Sequence, residues 1–342
     1  MSRLEKRYRL LLRLLPAAYR QEWEDDMVTA FLDSMETGDP DTTEYVAEHG
    51  RPGLSEIASI LSLAVRLRLG GPDAPPRSFA WGQAVRLSVL MAMLTHAVTV
   101  TVSIAVPLWL SGKMAWLPAP TAEWVLAPPR NTWHTVWGLA GYAWLPAYLA
   151  LVLGHRRVAQ AVALLAVVPP AVTTVVQQFA GDVPPSVTPW AMRLVDVLLL
   201  LAMSAFHHGA PPVPRRPWLL ALPVGILLAV PLFTLQATTP ALSVLDWPGL
   251  SCATVTAAML VHLAVRGRGH PARTLPWSLA LLLLAVTAFV VRTATLPDHL
   301  GQVHRSTLTA IASVEVLVVL AVGVPLAVLA LRALRRLPTV PR

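Results

Sequence analysis

Arg193 and Asp196 lie three residues apart inside the apolar run "WAMRLVDVLLLLA". On a helix this spacing puts both side chains on one face, where they can pair. Each ionisable side chain at mid-bilayer costs about 2.5–3.5 kcal/mol on insertion scales, so such residues mark sites or essential contacts. Asp196 follows Trp190 by six positions, which at helical rise is roughly 9 Å below the interface that a tryptophan marks. Glu315 falls at a comparable depth in the last apolar run. Gln177 and Gln178 close the third run on that side, and Arg292 closes the seventh. Together these residues can form a polar cluster in the outer third of a helix bundle, able to hold a ligand, an ion or a proton. The pattern favours a structural use, an Arg–Asp pair that fastens helices together. His96, near the middle of the first run, reads as a contact between helices.

No other chemistry is written in the sequence. There is no Gly-rich phosphate loop, HExxH or GxSxG, and no Cys/His spacing suited to a metal. Cys252 is the only cysteine, so no disulfide framework is available. The ten histidines are scattered, and His207–His208 adjoins a loop instead of sharing a helical face. The expectation is a protein that is not an enzyme and has no metal and no cofactor.

The elements that must carry these residues are membrane helices. Of 342 residues, 55% are hydrophobic and 13% charged, about half the charge of a soluble domain. Eight apolar stretches, at about 87–110, 134–154, 158–180, 190–206, 218–236, 249–265, 276–294 and 308–331, approach the ~20 residues that span a bilayer. The formal charge of +8 is unevenly placed. Residues 1–80 hold 10 basic and 13 acidic side chains, and the remainder 17 and 6. The connections after stretches 2, 4 and 6 and the tail 332–342 carry 11 arginines. The other connections carry Lys113, Arg130, Arg292 and Arg305 alone. By the positive-inside rule both termini are cytoplasmic, and basic loops signal orientation before nucleic-acid binding. The outer loop 111–133, rich in Trp and Leu, is expected on the membrane surface or over the bundle mouth. Arginine outnumbers lysine 25 to 2, which with the Ala and Pro content points to a high-GC bacterial source and hence its plasma membrane. The basic start and "LLLRLL" imitate a signal peptide, but Arg13 breaks the core and no small-residue cleavage site follows.

Residues 1–70 differ from all this. Helix periodicity predicts a first helix from Arg3 to Leu15, stopped by Pro16. A second, Ala17–Met35, carries a stripe of Tyr19, Trp23, Met27 and Phe31 and an acidic face with Glu22, Asp25 and Asp26. A third, from about Gly53, presents Leu54, Ile57, Ile60, Leu61, Ala64 and Leu67, with Glu56 placed for a capping arrangement. A basic first helix beside an acidic second favours antiparallel docking. The fold class expected is all-α: a cytosolic three-helix unit over residues 1–70, a linker at 71–86, and a transmembrane bundle of about eight spans over 87–331.

"RYRLLLRLLPAAYRQEWEDDM" with "RPGLSEIASILSLAVRLRLG" resembles the small helical HAAS, or permease-prefix, domain of bacterial multi-pass membrane proteins. The resemblance rests on Arg7-Tyr8, Leu14-Leu15-Pro16, Tyr19-Arg20, the acidic pair before Met27, and Arg51-Pro52. It covers residues 3–70. It implies a signalling or assembly role, a protein partner and genomic proximity to PadR-type regulators, and brings no catalytic residues. The sequence therefore favours a regulatory or sensory membrane protein, with a cytosolic or membrane protein partner engaged through residues 1–70, a surrounding lipid bilayer and no direct nucleic-acid contact. A transporter or permease subunit using the Asp196/Glu315 region is the alternative.

Overall fold

The computed structural model describes residues 2–35, 45, 48–70, 75–110, 139–180, 186–207, 209–238, 246–266, 271–299 and 305–337. These residues form eleven α-helices and no strand. The outer loop 111–133 and the start of the second predicted span, 134–138, lie outside them, as do residues 71–74 of the predicted linker and residues 338–342 of the basic tail. Two compact units divide the chain, one containing residues 1–83 and the other residues 84–206 and 211–337.

In the first unit, α1 (Arg3–Leu12), α2 (Ala17–Met35) and α3 (Leu54–Arg68) share one core of Leu4, Tyr8, Leu12, Val28, Phe31 and Ile60. Ser2 caps α1 by accepting from the Glu5 amide at 3.1 Å. The Tyr8 and Phe31 rings stack at 4.0 Å. Arg9 binds Glu5 on its own helix and reaches Glu24 and Asp25 on α2, at 3.3 and 3.0 Å. That is the basic-on-acidic contact expected from composition. Other details differ from the periodicity. Helix α1 ends at Leu12, three residues early, and continues into a turn that returns Leu15 to the core. Trp23 stands 44% exposed, and Leu54 and Leu61 also face outward. Glu56 does not cap α3, whose N-cap Gly53 has no side-chain bond; it accepts from the Tyr8 hydroxyl at 3.0 Å.

Helix α4 (Pro76–Leu110) starts within the expected linker. Proline at a first helical position loses nothing, because its missing N–H would have had no partner there. The start of α4 lies close against the end of α3. A Cβ on Gly82 would sit 1.6 Å from the Leu69 carbonyl oxygen, and Gly70 turns the chain with φ +69°.

The second unit is built from α4, α5 (Trp144–Val152), α6 (Arg156–Phe179), α7 (Thr188–Ala202), α8 (Arg215–Thr238), α9 (Trp247–Arg266), α10 (Pro271–Thr295) and α11 (Arg305–Arg335). Seven of these, all except α5, are long and apolar enough to cross a membrane. The surface of α8 is apolar, with Leu220, Leu227 and Leu228 at 66, 72 and 74% exposure. Such a surface matches hydrocarbon and not water. Among the described residues, the second predicted span is the 3-10 turn Ala140–Ala143 plus α5, ending at Val152. This is shorter than a full crossing.

Paired contacts give the helix directions. His96 of α4 meets Asp196 of α7, while Arg86 meets the Ala205 carbonyl, so α4 and α7 are antiparallel. Gln160 and Arg156 of α6 donate to the Met203 and Phe206 carbonyls, so α6 also opposes α7. Helix α5 turns back into α6 at Gly154 (φ +95°), with the His155 amide bonded to the Ala150 carbonyl. In α9 and α10, residues 246, 252 and 262 face 292, 288 and 278 in turn. Trp218 at the start of α8 stacks on Trp277 of α10. The direction alternates at every helix from α4 to α7 and again between α9 and α10.

Candidate functional site

Polar side chains gather in two groups within the second unit. In the first, Arg193 and Asp196 form the ion pair that their spacing predicts, Nη1 to Oδ2 at 2.7 Å. Asp196 is buried, and its other oxygen lies 3.5 Å from His96 Nε2. The His96 ring stacks on Trp144 at 4.5 Å, and Trp247 lies across from it at 6.5 Å. His96 is thus held by two indoles and one carboxylate contributed by α5, α9 and α7.

The second group is centred on Arg292, only 1% exposed. Its Nη1 donates to both Asp246 oxygens, at 2.8 and 2.6 Å, and its Nε lies 2.7 Å from Glu315 Oε2. Asp246 also accepts from the Gly249 amide at 3.0 Å, which caps the start of α9. A Cβ at Gly249 would lie 2.7 Å from Glu315 Oε1 and 3.0 Å from Asp246 Oδ1, so a larger residue there would have to displace the carboxylates that hold Arg292. One arginine therefore ties α9, α10 and α11 together. Because Asp246 and Trp247 are consecutive, the two groups share the first turn of α9.

Glu315 thus does not join Arg193 and Asp196, although all three lie in the same unit. Gln177 and Gln178, half-buried near the end of α6, join neither group among the described residues. Asp246 was not singled out from the sequence, where it reads as a loop residue. Its signal is local: Asp followed by Trp-Pro-Gly is an N-cap with proline inside the first turn.

Helix α7, which carries Arg193 and Asp196, is fixed at both ends. With its 3-10 turn it runs to Ala205 and is the shortest of the seven long spans, at 18 residues. Its end groups find protein partners on both sides. Asp298 supplies them at the start, accepting from the Ser186 hydroxyl and from the Val187 and Thr188 amides at 2.7–2.9 Å. Arg86, Gln160 and Arg156 donate to carbonyls at the other end. A carboxylate at the N-terminus and cations at the C-terminus also match the helix dipole.

Beside Asp196 and His96 is a cavity of about 120 Å³ among α4, α7, α9 and α10. Thr95, Ser251, Thr254 and Thr287 add hydroxyls to a wall that is otherwise apolar. Among the described residues no group of three His, Cys, Asp or Glu side chains is placed to hold a metal ion.

The other predicted surface is on α2. Glu22, Asp25 and Asp26 are exposed, and Asp25 touches Arg9. Trp23, Asp26, Ala30 and Asp33 recur at helical spacing and are all exposed, so they form one outward stripe. Compared with protein-family models, curated proteins and solved structures, the chain matches none.

Proposed function

We propose that this multi-pass membrane protein is a regulatory or assembly adaptor that recruits a basic protein partner through the acidic stripe of α2. The observation that carries this reading is Trp23. It is 44% exposed on a unit whose core closes without it; Glu22 and Asp26 are exposed beside it, and Asp33 is exposed farther along the same stripe. An exposed tryptophan among carboxylates suits Arg or Lys side chains, by cation–π contact and charge pairing. The resemblance of residues 3–70 to permease-prefix domains supports the same role.

Eight spans with both termini cytoplasmic fit this function, since the docking face is then in the cytosol. Helix α5 supports the count: though short, it runs opposite to α6, and its Trp144 lies at the depth of His96 on α4. A transport pathway has less support. The charged groups pair with one another, and on α4 the cavity wall continues from His96 toward Arg86 as Ala92 and Met91.

The test is a co-purification of the full chain from its native membrane in mild detergent, beside a Glu22→Lys/Trp23→Ala/Asp26→Lys variant. A protein retained by the first and lost from the equally abundant second is the expected result. Identical retention by both, or nothing retained by either, contradicts the reading.

A further inference from the structure

The cavity beside His96 and Asp196 has a wall specific enough to define its occupant. We infer that it binds a small, neutral, hydroxyl-bearing ring compound that reaches it through the bilayer. This does not depend on partner docking at α2.

Charge is the first argument. Asp196, the carboxylate in the wall, is already neutralised by Arg193 at 2.7 Å. A charged ligand would bring an uncompensated charge against a mostly apolar wall, which is unfavourable. Hydrogen bonding is the second. A hydroxyl has one proton and two lone pairs. The hydroxyls of Thr95, Ser251 and Thr287 each donate their proton to a carbonyl one turn back, that of Met91, Trp247 or Leu283, at 2.9 Å. Thr254 does the same toward Leu250. Four hydroxyls on three helices therefore present lone pairs to the cavity, so the wall calls for a donor. Trp247 adds an indole surface to the same wall.

Size and surroundings give the rest. A cavity of about 150 Å³ lined by apolar side chains is known to hold benzene, and this one is of similar order. Met91, Met192 and Trp247 line it, and thioether and indole surfaces favour ring contacts. Thr95 and Thr254 are exposed, which places the rim on the flank of the bundle, where a bilayer-dissolved neutral compound arrives.

Full-length protein in lipid nanodiscs would be titrated with 4-fluorophenol and followed by fluorine NMR, against empty nanodiscs. Fluorobenzene, 4-fluorobenzylammonium and 4-fluorobenzoate serve as the donor-free, cationic and anionic probes. A saturable, protein-dependent shift is expected for 4-fluorophenol alone or most tightly. Ser251→Ala/Thr287→Val, which removes two acceptors with little change of shape, should weaken it by about three- to tenfold. Equal binding of fluorobenzene, tighter binding of either ion, an unchanged affinity in the variant, or no protein-dependent shift would each overturn the inference. The partner co-purification addresses α2 and is unaffected by any of these results.

Discussion

Asp196→Asn leaves the Arg193 guanidinium beside His96 without its counter-charge. Breaking a fully buried pair costs about 3–5 kcal/mol. The Arg193 side chain keeps 27% exposure, so a loss of about 2 kcal/mol in thermal unfolding of the detergent-solubilised protein is expected. Arg193→Met combined with Asp196→Asn should recover at least half of it, since neither charge is then stranded. Tyr8 makes a different prediction. Burial, followed by the hydrogen bond and charge of Glu56, raises its phenol well above the ordinary tyrosine value. The folded state therefore holds a proton that the unfolded state releases above about pH 10, and stability falls as pH rises through that range. Tyr8→Phe should flatten the alkaline limb of a stability–pH curve for the full chain. Of these contacts the Arg193–Asp196 pair was legible in the sequence, because both partners sit on one helix. The pairing of Arg292 with Glu315 and Asp246 was not, because it depends on which helices are neighbours. His96 against Asp196 escaped for the same reason.

Helices themselves were read well, and their ends less well. Long apolar runs with arginines between them define the spans by chemistry that needs no tertiary information. The start of α4 was hidden because Pro75-Pro76 reads as a linker, whereas a proline in the first turn is compatible with a helix. Trp23, Leu54 and Leu61 recur at the spacing of the apolar stripes, yet Leu4, Tyr8, Phe31 and Ile60 fill the core without them. Helical spacing identifies a face but not how much of it a small bundle can cover. The close approach of α9 and α11 gives this scale its prediction. Gly249→Ala should disrupt the Arg292 group and lower the thermal midpoint, since its Cβ would meet Glu315 Oε1 at 2.7 Å. Gly323→Ala on α11, where a Cβ meets nothing within 4 Å, should hold or raise it, with a stability gain of up to about 1 kcal/mol from helix propensity. Thermal scans of the two variants side by side provide the check.

At the scale of the whole molecule, two kinds of surface coexist on one chain. The first unit exposes acids around an indole, and the second exposes leucines and valines suited to lipid. The adaptor role requires the first unit to stand in the cytosol, and an odd number of crossings would place the two termini on opposite sides. The deciding measurement is therefore side-specific labelling of single cysteines. Cys252 is buried at 1% exposure and would be replaced by alanine. Ala30→Cys on α2 and Arg336→Cys beyond α11 would then be probed one at a time with a membrane-impermeant maleimide. Both should remain unlabelled in intact cells and react fully in inverted membrane vesicles. Labelling of position 30 in intact cells would place the acidic stripe outside and contradict the adaptor role. Labelling of position 336 there without labelling of position 30 would contradict eight spans.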